Sequence, residues 1–396
     1  MKLTYQHTVY SCFGAYIAQA IVNNFAPLLF LTFQANYGIP ITKITFLVTF
    51  NFGLQLLIDF VSAGLIDRIG YRWPAVVAHV CICLGLVALA VLPDLFADPF
   101  VGLLVAVMIY AAGGGLLEVL VSPIVEACPT DNKEAAMSLL HSFYCWGNVG
   151  VVLLSTVFFA AFGIANWKIL ALLWAIFPAV GAVCFTKVPI VHLIQEGERG
   201  LSLRELLSNR VFRIMVVLML CAGASEQSVS QWASTFAERG LGVSKTVGDL
   251  AGPMLFSIMM GTSRVLYGKR ASQHNLNRTL LVSSLLCVCS YLVIALSPWP
   301  VLSFAGCAVC GFSVGVLWPG TFSMAAAEIE RGGTILFAFL ALAGDLGCSI
   351  GPTVVGRVSG WLGDDLKLGI LAAVLFPIVL VIGVLRNGLS SRGYLS

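Results

Sequence analysis

Residues 110–123 read Tyr-Ala-Ala-Gly-Gly-Gly-Leu-Leu-Glu-Val-Leu-Val-Ser-Pro, and residues 141–150 read His-Ser-Phe-Tyr-Cys-Trp-Gly-Asn-Val-Gly. Both stretches recur later in the chain. Gly115 and Pro123, shifted by 196, fall on Gly311 and Pro319; Gly147 and Gly150, shifted by 197, fall on Gly344 and Gly347. The small and helix-bending residues are kept while the polar ones are exchanged: Glu118 meets Val314, and Asn148 meets Asp345. A repeat of nearly half the chain implies two copies of one structural unit. Gly115 is predicted to superpose on Gly311, and Asn148 on Asp345, about a pseudo-two-fold axis along the membrane normal.

The composition around these stretches says where such units live. The 396 residues are 59% hydrophobic and only 10% charged, whereas soluble domains carry about a quarter charged residues. The mean hydropathy is +0.95. An all-α polytopic membrane protein is expected, since lipid leaves each backbone segment to satisfy its own polar groups. A spanning helix needs about 20 mostly apolar residues. On that basis there are twelve, near 9–33, 44–66, 74–93, 99–123, 136–161, 167–187, 212–237, 246–267, 279–297, 300–325, 333–356 and 368–386. The first run is too long for a cleavable leader and lacks a small-residue cleavage site.

With both termini cytoplasmic, only Lys43, Lys168, Arg239, Lys245, Arg357 and Lys367 of the 22 lysines and arginines fall outside. The other sixteen fall inside, which is the bias that orients membrane proteins. The longest polar interruption, 188–210, separates an N-terminal six-helix bundle (1–187) from a C-terminal one (211–396). Within it, Leu201–Leu207 is either a short helix on the cytoplasmic surface or a plain solvated linker. Most of the 12 cysteines lie in apolar runs and are read as free thiols packed as small hydrophobes. Cys307-x-x-Cys310 is too isolated for zinc, so no metal site is expected.

Between the second and third spans stands Gly64-Leu-Ile-Asp67-Arg68-Ile-Gly70-Tyr71-Arg72. It resembles the signature loop of the major facilitator superfamily, Gly-x-x-x-Asp-Arg-x-Gly-Arg-Arg/Lys, with Tyr71 in place of one basic residue. Glycines permit the tight turn, and Asp67 can pair with a basic residue or cap a neighbouring helix end. The resemblance implies that Gly64, Asp67, Arg68, Gly70 and Arg72 form a gating loop, and that the two bundles make a transporter. In the second half Gly261, Arg264 and Lys269 stand as a degenerate counterpart.

An ionisable side chain near the bilayer centre costs roughly 2.5–3.5 kcal/mol on insertion scales, so Asp59, Glu118, Glu226 and Asp345 each point to a function. Asp59 extends a stripe of Asn51, Gln55 and Ser62 on one helix face. Glu118 stands alone in the fourth span, with Gly114 and Ser122 on its face. A carboxyl that passes between apolar surroundings and water can carry a proton; the alternative is a carboxyl bonded to a neighbouring helix for structure. His141, Tyr144, Cys145 and Asn148 form a second stripe. There His141 is either a ligand or proton carrier, or a structural histidine. The amides of Asn23 and Asn24 suit hydroxyl-rich ligands. Ser225-Glu226-Gln227-Ser228-Val229-Ser230-Gln231-Trp232 is too polar to face lipid and is expected to be an irregular, cavity-lining segment. Trp318, ahead of Pro319, either offers a flat face to a sugar ring or packs in the core.

The fourth and fifth spans resemble those of the fucose/glucose/galactose:proton symporter family within that superfamily. Its fourth-helix motif Gly-x-Gly-x-x-Glu-x-x-x-Asn-Pro is met by Gly113 to Pro123, with Ser122 for Asn. Its fifth-helix Gln-x-Phe-Asn-Ser-x-Gly is met by His141 to Gly147. Glu226, Ser228 and Trp232 keep the spacing of its seventh-helix motif, and Asn23-Asn24 its first-helix pair. The resemblance implies a proton-linked Glu118 and puts His141 and Tyr144 where the family has sugar-binding amides. Where the family has a proton-linked aspartate after the asparagine pair, this chain has Pro27, which leaves Asp59 and Asp345 as candidates for that role.

The expected function is proton-coupled uptake of a small polar solute, a monosaccharide first, by a carrier of the bacterial inner membrane. Protons are the coupling ion and no other cofactor is expected. Asn23, Asn24, Gln55, His141, Tyr144, Asn148, Glu226, Gln227, Gln231, Trp232 and Trp318 are the expected substrate residues, lining a central cavity; Glu118, Asp59 and Asp345 are the expected proton-coupling ones. The expected partners are the small-molecule substrate and the lipid bilayer, with no nucleic acid, and the chain is read as a monomer. An antiporter exporting drugs or metabolites and a non-transporting membrane sensor are the alternatives. An enzyme is not expected, because no His-Glu-x-x-His motif occurs.

Overall fold

Apolar runs of this length leave the backbone no partner but itself. A computed structural model, which describes residues 3–62, 65–193, 200–271, 275–363 and 365–392, contains helices and their connections and no strand among those residues. Among the described residues ten segments, some taken across a short break, are long and apolar enough to cross a membrane. The second and eighth expected spans are helices as well, Ile41–Ser62 and Lys245–Arg270. The latter is the more polar, carrying Asp249, Ser257, Ser263 and Arg264.

One compact unit comprises Met1–Pro129, Phe143–Arg199 and Gly333–Ala338. It holds α1 (Tyr5–Asn24), α2 (Phe30–Tyr37), α3 (Ile41–Ser62), α4 (Ile66–Ile69), α5 (Arg72–Leu95), α6 (Pro99–Ala127), most of α7 (Lys133–Phe162) and α8 (Trp167–Lys187). Helix α5 packs on α6 and α8, and α6 packs on α3 and α1. The first expected span is not one helix. It breaks into a 3-10 turn over Ala26–Leu29, where Pro27 has no N–H to continue the ladder.

Charges sort to the two ends of this unit as alternating spans require. At one end Lys168 pairs with Asp94, Tyr37 donates to Asp94 at 2.8 Å, and Lys43 lies 5.4 Å from the centre of the Phe100 ring. At the other, Arg72 donates to the carbonyls of Phe185, Thr186 and Val188, each at 2.9 Å. These are groups that α8 leaves open at its C-terminus, where a cation is favoured. The helix cap of the signature loop is therefore Arg72. Gly64 and the Asp67 side chain lie outside the described residues, and Arg68 is exposed. Gly70 takes φ +80°, with the His192 ring 2.9 Å from where a β-carbon would stand. Tyr71 is buried, stacks on His192 at 5.3 Å and shares a 2.8 Å hydrogen bond with Thr334.

The second unit comprises Thr130–Ser142, Gly200–Gly332 and Phe339–Ser396. It holds α9 (Leu203–Ser208), α10 (Arg210–Ser230), α11 (Ala233–Leu241), α12 (Lys245–Arg270), α13 (Leu276–Leu296), α14 (Pro300–Val314), α15 (Leu317–Glu328), most of α16 (Gly333–Trp361), α17 (Leu366–Ala373) and α18 (Leu375–Arg392). Of the two readings of Leu201–Leu207 the helix holds: Ser202 and Glu205 close a capping box at the start of α9. The irregularity expected across Ser225–Trp232 is confined to Gln231 and Trp232. Helix α10 stays regular through Ser230 because it packs tightly on α16, where a β-carbon on Gly351 would stand 2.5 Å from the Ala224 carbonyl.

The half-length repeat is carried by glycine contacts inside each unit. On α6, a β-carbon at Gly115 would stand 2.8 Å from the Gln55 carbonyl of α3; on α14, one at Gly311 would stand 2.7 Å from the Phe256 carbonyl of α12. On α7, one at Gly147 would stand 3.1 Å from the Ile17 backbone of α1; on α16, one at Gly347 would stand 2.9 Å from the Ala224 backbone of α10. Corresponding glycines let corresponding helices touch backbone to backbone.

Candidate functional site

Each unit carries its own polar cluster. In the first, α3 turns Asn51, Gln55, Asp59 and Ser62 inward, all under 8% exposed, while Phe52, Leu57 and Phe60 are about half exposed on its other faces. Asn23 is the hub. Its Oδ1 accepts from Asn51 Nδ2 at 3.1 Å and from Gln55 Nε2 at 2.9 Å, and its Nδ2 donates to the Tyr144 hydroxyl at 3.4 Å. A small pocket opens beside it, lined by Asn23, Asn51, Pro27 and Tyr110 among others. Asn24 is turned away from this network and donates to the Ala20 carbonyl of its own helix at 2.8 Å. Asn148, one turn past Tyr144, is partly buried.

Glu118, partly buried on α6, accepts from Gln19 Nε2 at 2.8 Å. One of its carboxylate oxygens lies within 4.8 Å of one from Asp59. Tyr16 shares a 3.2 Å hydrogen bond with Ser122, one turn beyond Glu118, and meets the Tyr144 ring edge-on at 6.4 Å. Gly114 makes room for this group: a β-carbon there would stand 3.3 Å from the Gln55 amide. The cluster thus sets a pair of carboxyls beside a set of amides and phenols.

In the second unit the cluster is built on a cation. Arg264 is 4% exposed, and its Nη2 lies 3.7 Å from Glu226 Oε2. Its Nε donates to the Gly315 carbonyl at 2.7 Å and its Nη1 to the His141 carbonyl at 2.9 Å. Gly315 needs that donor for a plain reason. Its carbonyl would ordinarily bond the N–H of residue 319, which is proline, and the chain breaks there between α14 and α15. The His141 ring is buried and lies 5.6 Å from Phe322, which Trp318 meets edge-on at 6.2 Å; Trp318 itself is seated against Gly344. Gln227 accepts from Ser230 at 3.1 Å. Gln231 is exposed at the helix break, Trp232 and Asp345 are partly buried, and the Trp232 indole N–H has no hydrogen-bond partner among the described residues.

Two residues of these clusters escape sequence reading. Arg264 counts there among the cytoplasmic charges, yet it is buried inside α12. Gln19 passes unnoticed, although it lies four positions before Asn23 and so on the same helix face, which is a signal that would have found it.

Comparison with known proteins matches this arrangement at the level of fold and family. A model described as Major Facilitator Superfamily matches residues 11–352. The chain is similar to the membrane protein MosC of Rhizobium meliloti, at 21% identity over 276 residues, a match taking in 68% of this chain and 65% of MosC. Among solved structures it is similar to a variant of the E. coli fucose:proton symporter FucP, with a TM-score of 0.81 at 16% identity over 96% of this chain and 98% of FucP. It is also similar to the human organic anion transporter MFSD10, with a TM-score of 0.76 at 16% identity over 96% and 99% of the two chains. At these identities the structural likeness is one of fold. The family match, which runs from the first helix of one unit well into α16 of the other, settles the membership: the chain belongs to the Major Facilitator Superfamily of membrane transporters.

Proposed function

We propose that the protein is a proton-coupled carrier that takes up a small polar solute, with a monosaccharide as the first substrate class. The observation that carries this reading is the first unit's cluster, in which Glu118, Gln19 and Asp59 adjoin the amides gathered on Asn23. Amides and phenols offer donors and acceptors matched to hydroxyl groups. Two carboxyls this close in an apolar setting repel when both are charged, and a single proton relieves that repulsion. Its uptake and release as the site meets water on alternate sides of the membrane couple the solute to the proton gradient. FucP, by its description a fucose:proton symporter, supports the reading through fold. In this proposal both termini face the cytoplasm of a bacterial inner membrane, the chain works as a monomer, and protons are its only coupling partner.

A second reading is a proton antiporter exporting an anionic metabolite. The buried Arg264 beside Glu226 favours it, since a solute carboxylate could take the place that Glu226 holds. The likeness to MFSD10, an organic anion transporter, lies in the same direction.

The test is a screen of labelled pentoses, hexoses and organic anions in proteoliposomes, with and without a pH gradient. The expected result is accumulation of one monosaccharide driven by external acid. In Glu118→Gln accumulation falls to the level seen without a gradient, while sugar exchange across the membrane continues. Undiminished accumulation in that variant removes Glu118 from coupling; anion exchange in place of sugar uptake selects the second reading.

A further inference from the structure

Gln19 lies on α1 and is 3% exposed. Its Nε2 donates to Glu118 at 2.8 Å, while its Oε1, equally enclosed, has no hydrogen-bond partner among the described residues. A buried amide oxygen without a donor is a cost that folded proteins rarely carry. The chemistry of Glu118 accounts for it. As a carboxylate Glu118 only accepts; once protonated it has one O–H to donate. A carboxamide carries a donor and an acceptor side by side, so turning the Gln19 amide over presents Nε2 to the charged form and Oε1 to the protonated one.

We propose that Gln19 is the positioning residue that lets Glu118 change protonation state inside the membrane, partnering both forms through a turn of its amide. The inference rests on the reading of Glu118 as a proton carrier. On release, the carboxyl O–H bond breaks, the proton passes to water, and the carboxylate takes the Nε2–H in its place; uptake reverses each step. The neighbours in the same unit do not fill this role. Asp59, facing Glu118 from α3, has no donor while charged, and Tyr16 on α1 is engaged with Ser122. Tyr144 of α7 is bonded to Asn23, and His79 of α5 faces the Phe185 ring of α8.

Infrared difference spectra between low and high pH, taken on the full chain in liposomes, test it without any solute. The C=O band of protonated Glu118 is identified by its loss in Glu118→Gln. The expected result is that Gln19→Met, equal in length but without a polar atom, moves this band to higher wavenumber as the carboxyl loses its acceptor. Should that variant fail to fold, wild-type protein 13C-labelled at its glutamine side chains gives the second measurement. One amide C=O band shifts over the same pH range, keeps that shift in Gln55→Asn, and loses it in Glu118→Gln. A titrating Glu118 band that stays in place in Gln19→Met, or labelled glutamine bands indifferent to Glu118, overturns the role of Gln19 and leaves the proton-carrier reading standing. Absence of any Glu118 band across the pH range overturns both.

Discussion

Helix α6 leans on α3 through Gly115 in one unit, and α14 leans on α12 through Gly311 in the other, with a would-be β-carbon 2.8 and 2.7 Å from the facing carbonyl. The polar groups hung on these matching helices have little in common. The first unit gathers amides and carboxyls around Asn23 and Glu118; the second buries Arg264 against Glu226 and two backbone carbonyls. The contrast follows from what each residue type must satisfy. A glycine at a backbone contact has no substitute, because any β-carbon collides with a carbonyl that cannot move alone. A polar side chain needs only some partner, so it can be exchanged one unit at a time while the scaffold stays.

The comparison can be broken at its strongest point. Gly115→Val and Gly311→Val are both expected to abolish folded protein: overpacking typically costs about 1–3 kcal/mol, and a branched side chain driven into a backbone carbonyl belongs with the exceptional losses above about 4 kcal/mol. Gly150→Ala, where nothing lies within 4 Å of the added carbon, is expected to change stability by less than about 1 kcal/mol. Size-exclusion profiles and melting temperatures in detergent decide it. Survival of one glycine variant and not the other would end the equivalence of the two contacts.

The chemical difference between the units is sharpened by a double-mutant cycle. Arg264→Met strands Glu226 and the Gly315 carbonyl and is expected to cost about 3–5 kcal/mol, the cost of removing one partner from a buried ion pair. The double variant Arg264→Met/Glu226→Leu recovers part of that loss, leaving the Gly315 carbonyl as the deficit. Equal melting temperatures for the single and double variants would show that Arg264 acts as a helix cap rather than as an ion-pair partner.

The smallest effect separates two adjacent asparagines. Asn23→Ala leaves the amides of Asn51 and Gln55 without their acceptor and is expected to cost about 1–3 kcal/mol. Asn24→Ala removes only a bond to its own helix and should stay within about 0.5 kcal/mol. Thermal unfolding of the two variants side by side is the measurement, and a larger loss from Asn24 would dismiss Asn23 as the hub.

Much of this molecule is set by properties that a residue carries with it along the chain. Apolar length made the helices, glycine spacing made the repeat, and a period of three to four residues brought Asn51, Gln55, Asp59 and Ser62 to one buried face. The loop at 64–72 read as a superfamily mark for the same reason, since its turn is local. Other features depend on partners that sequence distance hides. Gln19 meets Glu118 across 99 positions and Arg264 meets His141 across 123, and neither pairing leaves a periodic trace. The interruption at Gly315 is half legible: Pro319 announces a lost hydrogen bond, but only packing brings Arg264 to the freed carbonyl. Tyr71, which stands where the signature loop carries a basic residue, is buried against His192 and Thr334. What the sequence alone determined is the membrane, the helices and their doubling, because these follow from local backbone and solvation physics. Which donor reaches which acceptor was decided by the tertiary structure, because a hydrogen bond is good only to a few tenths of an ångström and that distance exists only after the helices have packed.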